Sequence, residues 1–411
     1  MSFSSLGLSA ALLRALKTKA YAAPTPIQSA AIPAALQGRD VLGWAQTGSG
    51  KTLAFALPLL QQLECAPISR PRRLRALVLV PTRELCAQVG EEIRSLGLPL
   101  VHALKVSIVF GGVSINPQLL RLRGGADLVV ATPGRLLDLV AHNALDLSSV
   151  ATLVLDEADR LLDLGFAEEL GAILALLPQP RQNLFFSATF APAVQALAQT
   201  LLRDPVRVEV PSEPLTAPDI AQRAIAVDAG RRTQLLRHLM QQDHWARVLV
   251  FVATKHAAEI VADKLRKARI SAEPFHGELS QGKRTQVLAD FKASRVKVVV
   301  ATDVAARGLD IAGLPVVVNY DLPRSAVDYT HRIGRTGRAG ERGMALSFVS
   351  ADTEAHFHLI EKRHGLDLSL EQIEGFEPQQ TTSVAMPAGG GVKGRRPSRK
   401  DKLRLASGQA C

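Results

Sequence analysis

The chain has 411 residues, more than the roughly 250 to 300 at which a single hydrophobic core usually stops growing, so two domains are expected. Hydrophobic residues make up 47% and charged residues 21% of the sequence, a balance that excludes the intrinsically disordered class. The net charge of +11 favours a polyanionic partner, because cations that contact phosphates release condensed counterions. Nucleic acid is the first hypothesis, and the motifs must decide.

Cysteine usage and hydropathy predict a protein of the reducing cytoplasm. Cys65, Cys86 and Cys411 form no CxxC pair, which indicates neither a disulfide framework nor a zinc site. No apolar run approaches the roughly 18 residues that span a bilayer, and the first residues lack the pattern of a secretion signal. We therefore expect a protein that is neither secreted nor membrane-spanning.

Short apolar runs alternate with longer helical patterns, which predicts a parallel sheet covered by helices. In the first half of the chain the predicted strands are residues 77–80, 128–131, 152–155 and 184–186. Three prolines within residues 211–219 (PSEPLTAPD) break the pattern, because proline disfavours both helix and central strand. The rhythm then restarts, with predicted strands at residues 248–252, 296–301 and 316–319 and a helix at 255–268.

These patterns divide the chain into four parts. We predict a first α/β domain at residues 1–210, a linker at 211–219, a second α/β domain at 220–375 and a flexible basic tail at 376–411. The tail contains the run KGRRPSRKDKLR at residues 393–404. It either solubilises the protein or holds RNA without sequence preference, and we favour the second interpretation because mobile cations engage phosphates without fixed geometry.

The strongest local signal is the loop of residues 45–52 (AQTGSGKT), which follows a predicted strand and precedes an apolar helical pattern. Backbone N–H groups of such a loop surround phosphate oxygens, Lys51 adds a charge at the β- and γ-phosphates, and Thr52 offers a hydroxyl to magnesium. The predicted nucleotide-binding residues are Ala45, Thr47, Gly48, Ser49, Gly50, Lys51 and Thr52, with Ala45 in place of the usual leading glycine. A chance glycine-rich turn is the alternative.

An acidic pair follows another predicted strand, at residues 153–155. Asp156 is expected to hold magnesium, directly or through water, and Glu157 to polarise the attacking water as general base. The alternative is a solvated helix start, since acidic side chains favour the positive end of the helix dipole. The phosphate loop makes the metal site the preferred interpretation.

Residues 156–159 read Asp-Glu-Ala-Asp, and the sequence resembles the DEAD-box helicases over nearly its whole length up to about residue 350. The supporting blocks are PTPIQ at 24–28, PTREL at 81–85, GG at 111–112, TPGR at 132–135, SAT at 187–189, ATDVAARGLD at 301–310 and HRIGRTGR at 331–338. The wording of residues 110–117 (FGGVSINP) and 121–125 (RLRGG) is similar to the bacterial RhlE group. The resemblance implies two tandem RecA-like domains and an ATP-dependent RNA helicase.

The resemblance assigns roles around the nucleotide. The amide of Gln28 would read the adenine edge, and Phe3 would stack on adenine or serve as a plain hydrophobic anchor. Ala20 stands where the family usually has glycine. From the second domain, Arg335 and Arg338 would reach the γ-phosphate and Asp310 the ribose, unless the arginines around residues 332–338 form an ordinary basic surface.

The resemblance also implies a coupling network and an RNA path. Asp159, Ser187, Thr189 and His331 would couple the domains through hydroxyl hydrogen bonds; alternatively, the hydroxyls cap the following helix. In the first domain the implied RNA contacts are Thr82, Arg83, Gly112, Thr132 and Arg135, where TPGR could also be an ordinary turn. In the second domain they are His276, Gly277, Gln281, Arg284, Thr302, Asp303 and Arg307.

Three rival functions remain open at this point. A clamp or annealing chaperone would keep the motifs but turn over little ATP, and a DNA-translocating helicase would share the phosphate loop and the arginines. A transporter ATPase would need a signature block that the sequence lacks. We therefore expect an RNA-dependent ATPase that uses ATP and Mg²⁺, binds RNA as a monomer, and acts on ribosomal precursors or with RNA-decay machinery, as the family does.

Overall fold

The computed structural model describes residues 2–45, 48–65, 69–100, 103–210, 220–306, 313–337 and 342–379. Two parallel sheets, each of seven strands in this part of the chain, are flanked by helices. The predicted fold class, two tandem RecA-like α/β domains, is confirmed. The linker proposed at residues 211–219 lies outside the described residues.

The first sheet has the strand order β3-β4-β2-β5-β6-β1-β7, with every pairing parallel. Its strands are β1 Val41–Trp44, β2 Ala76–Leu79, β3 Val106–Val109, β4 Leu128–Ala131, β5 Thr152–Leu155, β6 Gln182–Ser187 and β7 Val206–Glu209. Its helices are α1 Ala10–Thr18, α2 Pro26–Leu36, α3 Lys51–Cys65, α4 Arg83–Gly97, α5 Asn116–Leu122, α6 Pro133–Ala141, α7 Ala158–Asp163, α8 Ala167–Leu176 and α9 Pro192–Leu201.

The second sheet has the order β10-β11-β9-β12-β13-β8-β14, again with parallel pairings. Its strands are β8 Ile220–Ala226, β9 Val248–Val252, β10 Ala272–Phe275, β11 Val298–Thr302, β12 Val316–Asn319, β13 Gly343–Val349 and β14 Leu370–Glu371. Its helices are α10 Arg232–Gln242, α11 Lys255–Lys267, α12 Gln281–Lys292, α13 Asp303–Ala306, α14 Ala326–Ile333 and α15 Glu354–His364.

Both faces of each sheet are buried, which explains the nearly continuous apolar character of the strands. Alternate residues of β2 enter different cores: Val78 packs on one face and Leu77 on the other. In the second sheet Val250 and Leu249 divide in the same way. Helices on both faces are therefore needed to remove these side chains from water, and the loops that carry function are left at the sheet edges.

The predicted start of the tail, at residue 376, lies too early in the sequence. Phe376 packs against the second core, with the Arg231 guanidinium carbon 5.1 Å from its ring centroid. The backbone N–H of Gln379 donates to Asp228 (3.0 Å). Residues 376–379 therefore pack on the second domain instead of opening the tail, because an aromatic side chain at 376 gains from burial. The rest of the predicted tail lies outside the described residues.

Helix α1 ends in a left-handed residue at the position where the family usually has glycine. Ala20 has φ 58°, and its N–H donates to Lys17 O while the N–H of Tyr21 donates to Leu16 O, both at 3.0 Å. This is a Schellman termination, in which the left-handed residue is normally glycine because a Cβ is strained there.

We expect Ala20→Gly to raise the free energy of unfolding by up to about 1 kcal/mol, since it relieves this strain. Urea denaturation of the intact chain measures the change. The matched control is Ala22→Gly, at an exposed position without a positive φ, which should lower stability through the larger freedom of the unfolded chain. Shifts of the same sign in both variants would contradict the assignment of strain to Ala20.

Candidate functional site

The motif residues of each domain follow the carboxyl ends of its strands, which meet at one edge because each sheet is parallel. In the first sheet the loop of residues 45–52 follows β1, Asp156 follows β5, and Ser187 ends β6. Strands β5, β6 and β1 are neighbours. The topology thus brings the predicted phosphate, metal and coupling residues side by side.

The phosphate loop has the backbone that its glycines predict. Gly48 and Gly50 have φ values of 89° and 95°, which orient successive peptide groups as few other residues could. Lys51 is buried, and its Nζ donates to Ala45 O across the loop (2.9 Å). The buried Ser49 Oγ has no hydrogen-bond partner within the described residues. The loop therefore presents a cation and a hydroxyl without a partner, which suits an oxyanion. Thr47 lies outside the described residues.

Gln28 is tied to the phosphate loop. Its Oε1 accepts from Thr25 N–H (3.0 Å) at the start of α2, and its Nε2 donates to Gly50 O (3.0 Å). A Cβ at Gly50 would lie 2.4 Å from that Nε2, so glycine is required there for close approach as well as for conformation. The amide keeps one N–H and one lone pair that could meet a base edge. Phe3 is buried in the first core, as the anchor interpretation expects.

Burial raises the pKa of Asp156 to about 7, while the Lys51 charge opposes that rise. Its Oδ1 accepts from Glu157 N–H (2.9 Å). Glu157 is buried and has left-handed backbone angles (φ 51°, ψ 53°), an unfavourable conformation for a glutamate and one that clusters at functional sites. Buried carboxylates beside a single lysine are short of positive charge, so this donor set fits a divalent cation with oxygen ligands.

The coupling residues of the first domain are joined, but through a backbone group. Asp159 Oδ2 accepts from the N–H of Thr189 (2.9 Å), and Ser187 Oγ donates to Thr189 O (2.8 Å). The N-cap of α9 is Ala191, with no side-chain cap hydrogen bond. No side chain therefore caps α9, and the hydrogen bond between Asp159 and Thr189 uses a backbone amide. The coupling role of the two hydroxyls stays a prediction.

Arg160 and His331 connect the two domains. Nη2 of Arg160 is within hydrogen-bond distance of His331 Nδ1. Burial, and after it the charge of Arg160, lowers the pKa of His331 to about 3. His331 is therefore neutral near pH 7 and can accept this hydrogen bond from the guanidinium.

Arg332, next to His331 on α14, is a buried structural residue and not part of a basic surface. Its Nε and Nη2 bind both oxygens of Asp303 (2.5 and 2.7 Å), and its Nη1 donates to Asn319 Oδ1 (3.0 Å). The guanidinium also lies over the ring of Phe251, 4.9 Å from the centroid. Asp303, which was predicted to contact RNA, is thus engaged inside the domain. Arg335 follows this anchor and is buried.

The predicted RNA contacts of the first domain come from adjacent loops after β2, β3 and β4. Arg83 covers Gly112, whose φ is 70°, and the N–H of Gly111 donates to Thr132 Oγ1 (3.3 Å). Arg135 donates to Val113 O (2.8 Å). The buried Nη1 of Arg135 has no hydrogen-bond partner within the described residues, so a cationic donor is left for an outside acceptor. Thr82 caps α4, accepting from Leu85 N–H.

In the second domain two predicted RNA residues face the first domain. Arg284 Nη2 pairs with Glu84 Oε2 (3.0 Å), both side chains being buried, and Gln281 Nε2 lies 3.4 Å from Glu84 Oε1. His276 donates from Nε2 to Glu259 Oε1 (2.8 Å). Buried polar atoms without a described hydrogen-bond partner remain on these residues: Arg284 Nε, Gln281 Oε1 and His276 Nδ1. Gly277 and Thr302 follow β10 and end β11 respectively.

Comparisons with known proteins agree with this arrangement. The family profile described as DEAD/DEAH box helicase matches residues 25–197, and the helicase conserved C-terminal domain matches residues 231–340. The chain is 40% identical over 360 residues to the DEAD-box ATP-dependent RNA helicase CshA of Bacillus cereus, covering 88% of this chain and 67% of that protein. The chain belongs to the DEAD-box helicase family.

Other DEAD-box proteins extend the comparison. The ATP-dependent rRNA helicase rrp3 of Sclerotinia sclerotiorum is 43% identical over 351 residues, 85% of this chain and 72% of that protein. The structure of S. cerevisiae Dbp5 bound to RNA and ADP BeF3 has a TM-score of 0.79 at 31% identity, covering 90% of this chain and 95% of that chain. The likeness spans both domains.

Sequence reasoning missed two DEAD-box residues that join the domains, Arg160 and Glu84. Glu84 lies within the PTREL block and Arg160 directly follows the DEAD motif, but a single charge in or beside a motif gives no sign of its partner in the other domain. Arg307, Asp310 and Arg338 were also predicted, and all three lie outside the described residues. Of the helices in the described ranges, none has both the length and the apolar character that a membrane crossing requires.

Proposed function

We propose that this DEAD-box RNA helicase hydrolyses ATP when ATP and RNA together hold its two domains closed. The observation that supports this proposal is that two side-chain pairs join the two domains: Glu84 with Arg284, and Arg160 with His331. Both pairs adjoin motif residues, and Glu84 follows the predicted RNA residue Arg83 directly. Closure therefore assembles residues of both domains at one place, which couples RNA binding to the ATP site.

At the ATP site, Lys51 would balance the charge of the phosphates and Glu157 would orient and deprotonate the attacking water. Asp156 and Thr52 would hold Mg²⁺, which supplies charge neutralisation when it is bound. Arg335, and Arg338 after the intervening Thr336 and Gly337, would add the positive charge that the transferred phosphoryl group needs. The anchored Arg332 fixes the helix end from which Arg335 extends, so the arginine is positioned before the reaction begins.

The RNA path would run over the loops of Arg83, Gly112 and Arg135 and continue along His276 and Gly277. Its chemistry favours phosphate and sugar contacts, because it combines guanidinium groups with closely approachable backbone. Closure would bend one strand so that a duplex loses a few base pairs, and hydrolysis would reopen the cleft. This path supports local strand separation without translocation.

The test is steady-state ATP hydrolysis with single-stranded RNA, with DNA of the same sequence, and with no nucleic acid. We expect RNA, but not DNA, to stimulate ATP hydrolysis strongly. ATP-dependent RNA binding without stimulated turnover would instead indicate the clamp or annealing chaperone, and equal stimulation by DNA would indicate a DNA-translocating enzyme.

The Arg160 and His331 contact predicts a pH dependence of closure. Opening exposes His331 and returns its pKa toward its ordinary value near 6.5, whereas closure lowers it to about 3. The open state therefore binds more protons between these values, and closure weakens as the pH falls through this window. With a non-hydrolysable ATP analogue, we expect RNA affinity to fall by up to about tenfold between pH 7.5 and 5.5.

His331→Asn should remove most of this pH dependence, because an asparagine oxygen can still accept from Arg160 but does not titrate. The matched control is His244→Asn, at an exposed histidine of the second domain, which should keep the wild-type profile. Identical profiles for the wild type and His331→Asn would refute the role given to His331.

Two further proposals concern the RNA on which the protein acts in the cell and the subgroup of the family to which it belongs. Of the two relatives CshA and rrp3, the second is an ATP-dependent rRNA helicase. We propose that ribosomal precursors are the RNA, with decay machinery the alternative partner, and that the wording of residues 110–117 places the chain in an RhlE-like group. Crosslinking of RNA in cells followed by sequencing of the captured RNA tests the client: enrichment of precursor rRNA supports it, and enrichment of other transcripts alone contradicts it.

A further inference from the structure

Two adjoining hollows lie beside β3, the outer strand of the first sheet. Their volumes are about 420 and about 200 Å³, and the larger is within the range of small-ligand sites. Arg94 of α4 and Arg121 of α5 line both of them, and Lys105 lines the smaller. The hollows therefore form one groove between α4 and α5 with a basic wall.

The groove begins where the proposed RNA path ends. Ala87, Glu91 and Arg94 line it from α4, the helix that starts at Arg83, and their spacing places them on one helix face. Val113 and Ser114, which directly follow Gly112, also line the groove. A strand that leaves the loops of Arg83 and Gly112 in this direction therefore enters the groove without crossing another element.

The edge of β3 is unsuited to an added peptide strand. Arg94 donates to Val106 O through Nε and Nη2 (3.2 and 3.0 Å), and the Gln118 amide pairs with both the N–H and the C=O of Phe110 (3.1 Å each). Side chains thus occupy two of the outward-facing backbone positions, which blocks β-strand addition. The occupant must be recognised by side chains in the groove.

Those side chains fit a nucleotide. Phe110 is half-buried and lines the larger hollow beside Gly111, so it can offer an aromatic surface to a base. Arg121 is exposed and forms no ion pair within the described ranges, whereas Arg94 is paired with Glu91 (2.6 Å). Arg121 is therefore a cation available to a phosphate. The net charge of the groove disfavours a basic ligand.

We propose that this groove is an additional RNA subsite of the first domain, which holds one further nucleotide with its base on Phe110 and its phosphate at Arg121. The proposal rests on the proposed function, because the groove is reached through the RNA path. With such a subsite, the affinity for RNA depends on the length of the RNA and on the presence of a base at one end of the strand. The identity of that base does not matter.

Binding of an RNA series that grows by one nucleotide, measured with a non-hydrolysable ATP analogue, tests the subsite. For the wild type we expect a further gain in affinity of about fivefold or more once the strand reaches the groove, and loss of that gain when the end nucleotide is abasic. Phe110→Leu, which keeps an apolar side chain, and Arg121→Gln should each remove the gain while leaving shorter RNAs bound as before.

Arg123→Gln is the matched control, since Arg123 is exposed nearby but lines neither hollow. With long RNA, Arg121→Gln should reduce the slope of log affinity against log salt by about 0.7, and Arg123→Gln should not. Equal affinity losses at all RNA lengths, or no loss in either groove variant, overturn the subsite. Absence of RNA-stimulated hydrolysis even with short RNA would instead overturn the proposed function.

Discussion

Glu157→Gln is expected to reduce RNA-stimulated ATP hydrolysis by about 100-fold or more, because it removes the proposed general base while keeping nearly the same shape. Glu157 is buried beside Asp156, and its left-handed backbone aims it from the start of α7. Glutamine tolerates that backbone no better or worse than glutamate, so the fold should be unchanged. Steady-state hydrolysis with saturating RNA measures the effect, and RNA binding in the presence of ATP measures what is retained.

Glu168→Gln is the control for this change, since Glu168 is an exposed glutamate in the first turn of α8, outside the site. It should hydrolyse ATP at the wild-type rate. A Glu157→Gln protein that turns over ATP within a few fold of the wild type would remove Glu157 from the chemistry. Loss of ATP-dependent RNA binding in the same protein would mean that the residue acts on closure instead.

Arg335→Ala is expected to lower kcat for RNA-stimulated hydrolysis by about 1000-fold, the size of effect that arginine fingers give in phosphoryl transfer. The first domain offers Lys51 as its buried cation at the phosphate loop, so the second domain must supply the remaining charge. Arg335→Lys should recover little of the rate, because an ammonium does not reproduce the planar fork of donors. Single-turnover and steady-state kinetics separate the loss in chemistry from a loss in ATP affinity.

Arg324→Ala provides the comparison for Arg335, being an exposed arginine just before α14. Wild-type kinetics in that variant, together with a large kcat loss in Arg335→Ala, would identify Arg335 as the arginine finger. If Arg335→Ala raised KM for ATP and left kcat unchanged, Arg335 would be a ground-state binding residue.

The sequence was most informative where periodicity and motif spacing coincide. The strands at 128–131, 152–155, 248–252 and 316–319 have the predicted bounds, because runs buried on both faces are almost entirely apolar. Strands β3, β7, β8, β10, β13 and β14 were not predicted. β3 contains Ser107, and β7 alternates charged and apolar residues at the sheet edge, so neither has the continuous apolar run of a central strand.

The site was less predictable than the fold, because partners come from distant parts of the chain. Asp303 carries a motif position but is bound by Arg332, and this depends on the packing of α14 against β12. Arg160 likewise acquires its role from His331, 171 positions away. The residue types indicated the chemistry. Tertiary structure decides whether a given carboxylate faces a ligand or pairs with an arginine.

The two hydrogen bonds of Gln28 have a consequence for base selection. Because Nε2 is fixed on Gly50 O and Oε1 on Thr25 N–H, the amide cannot rotate by 180° without placing two oxygens against each other. Adenine offers an N–H donor at N6 and an acceptor at N7, which match the remaining lone pair and N–H, whereas guanine offers acceptors at both O6 and N7. A guanine nucleotide would therefore either lose a contact or disturb the phosphate loop. We expect discrimination against GTP to appear in the rate of hydrolysis as well as in affinity, since the side chain that would hold the base is also hydrogen-bonded to the phosphate loop.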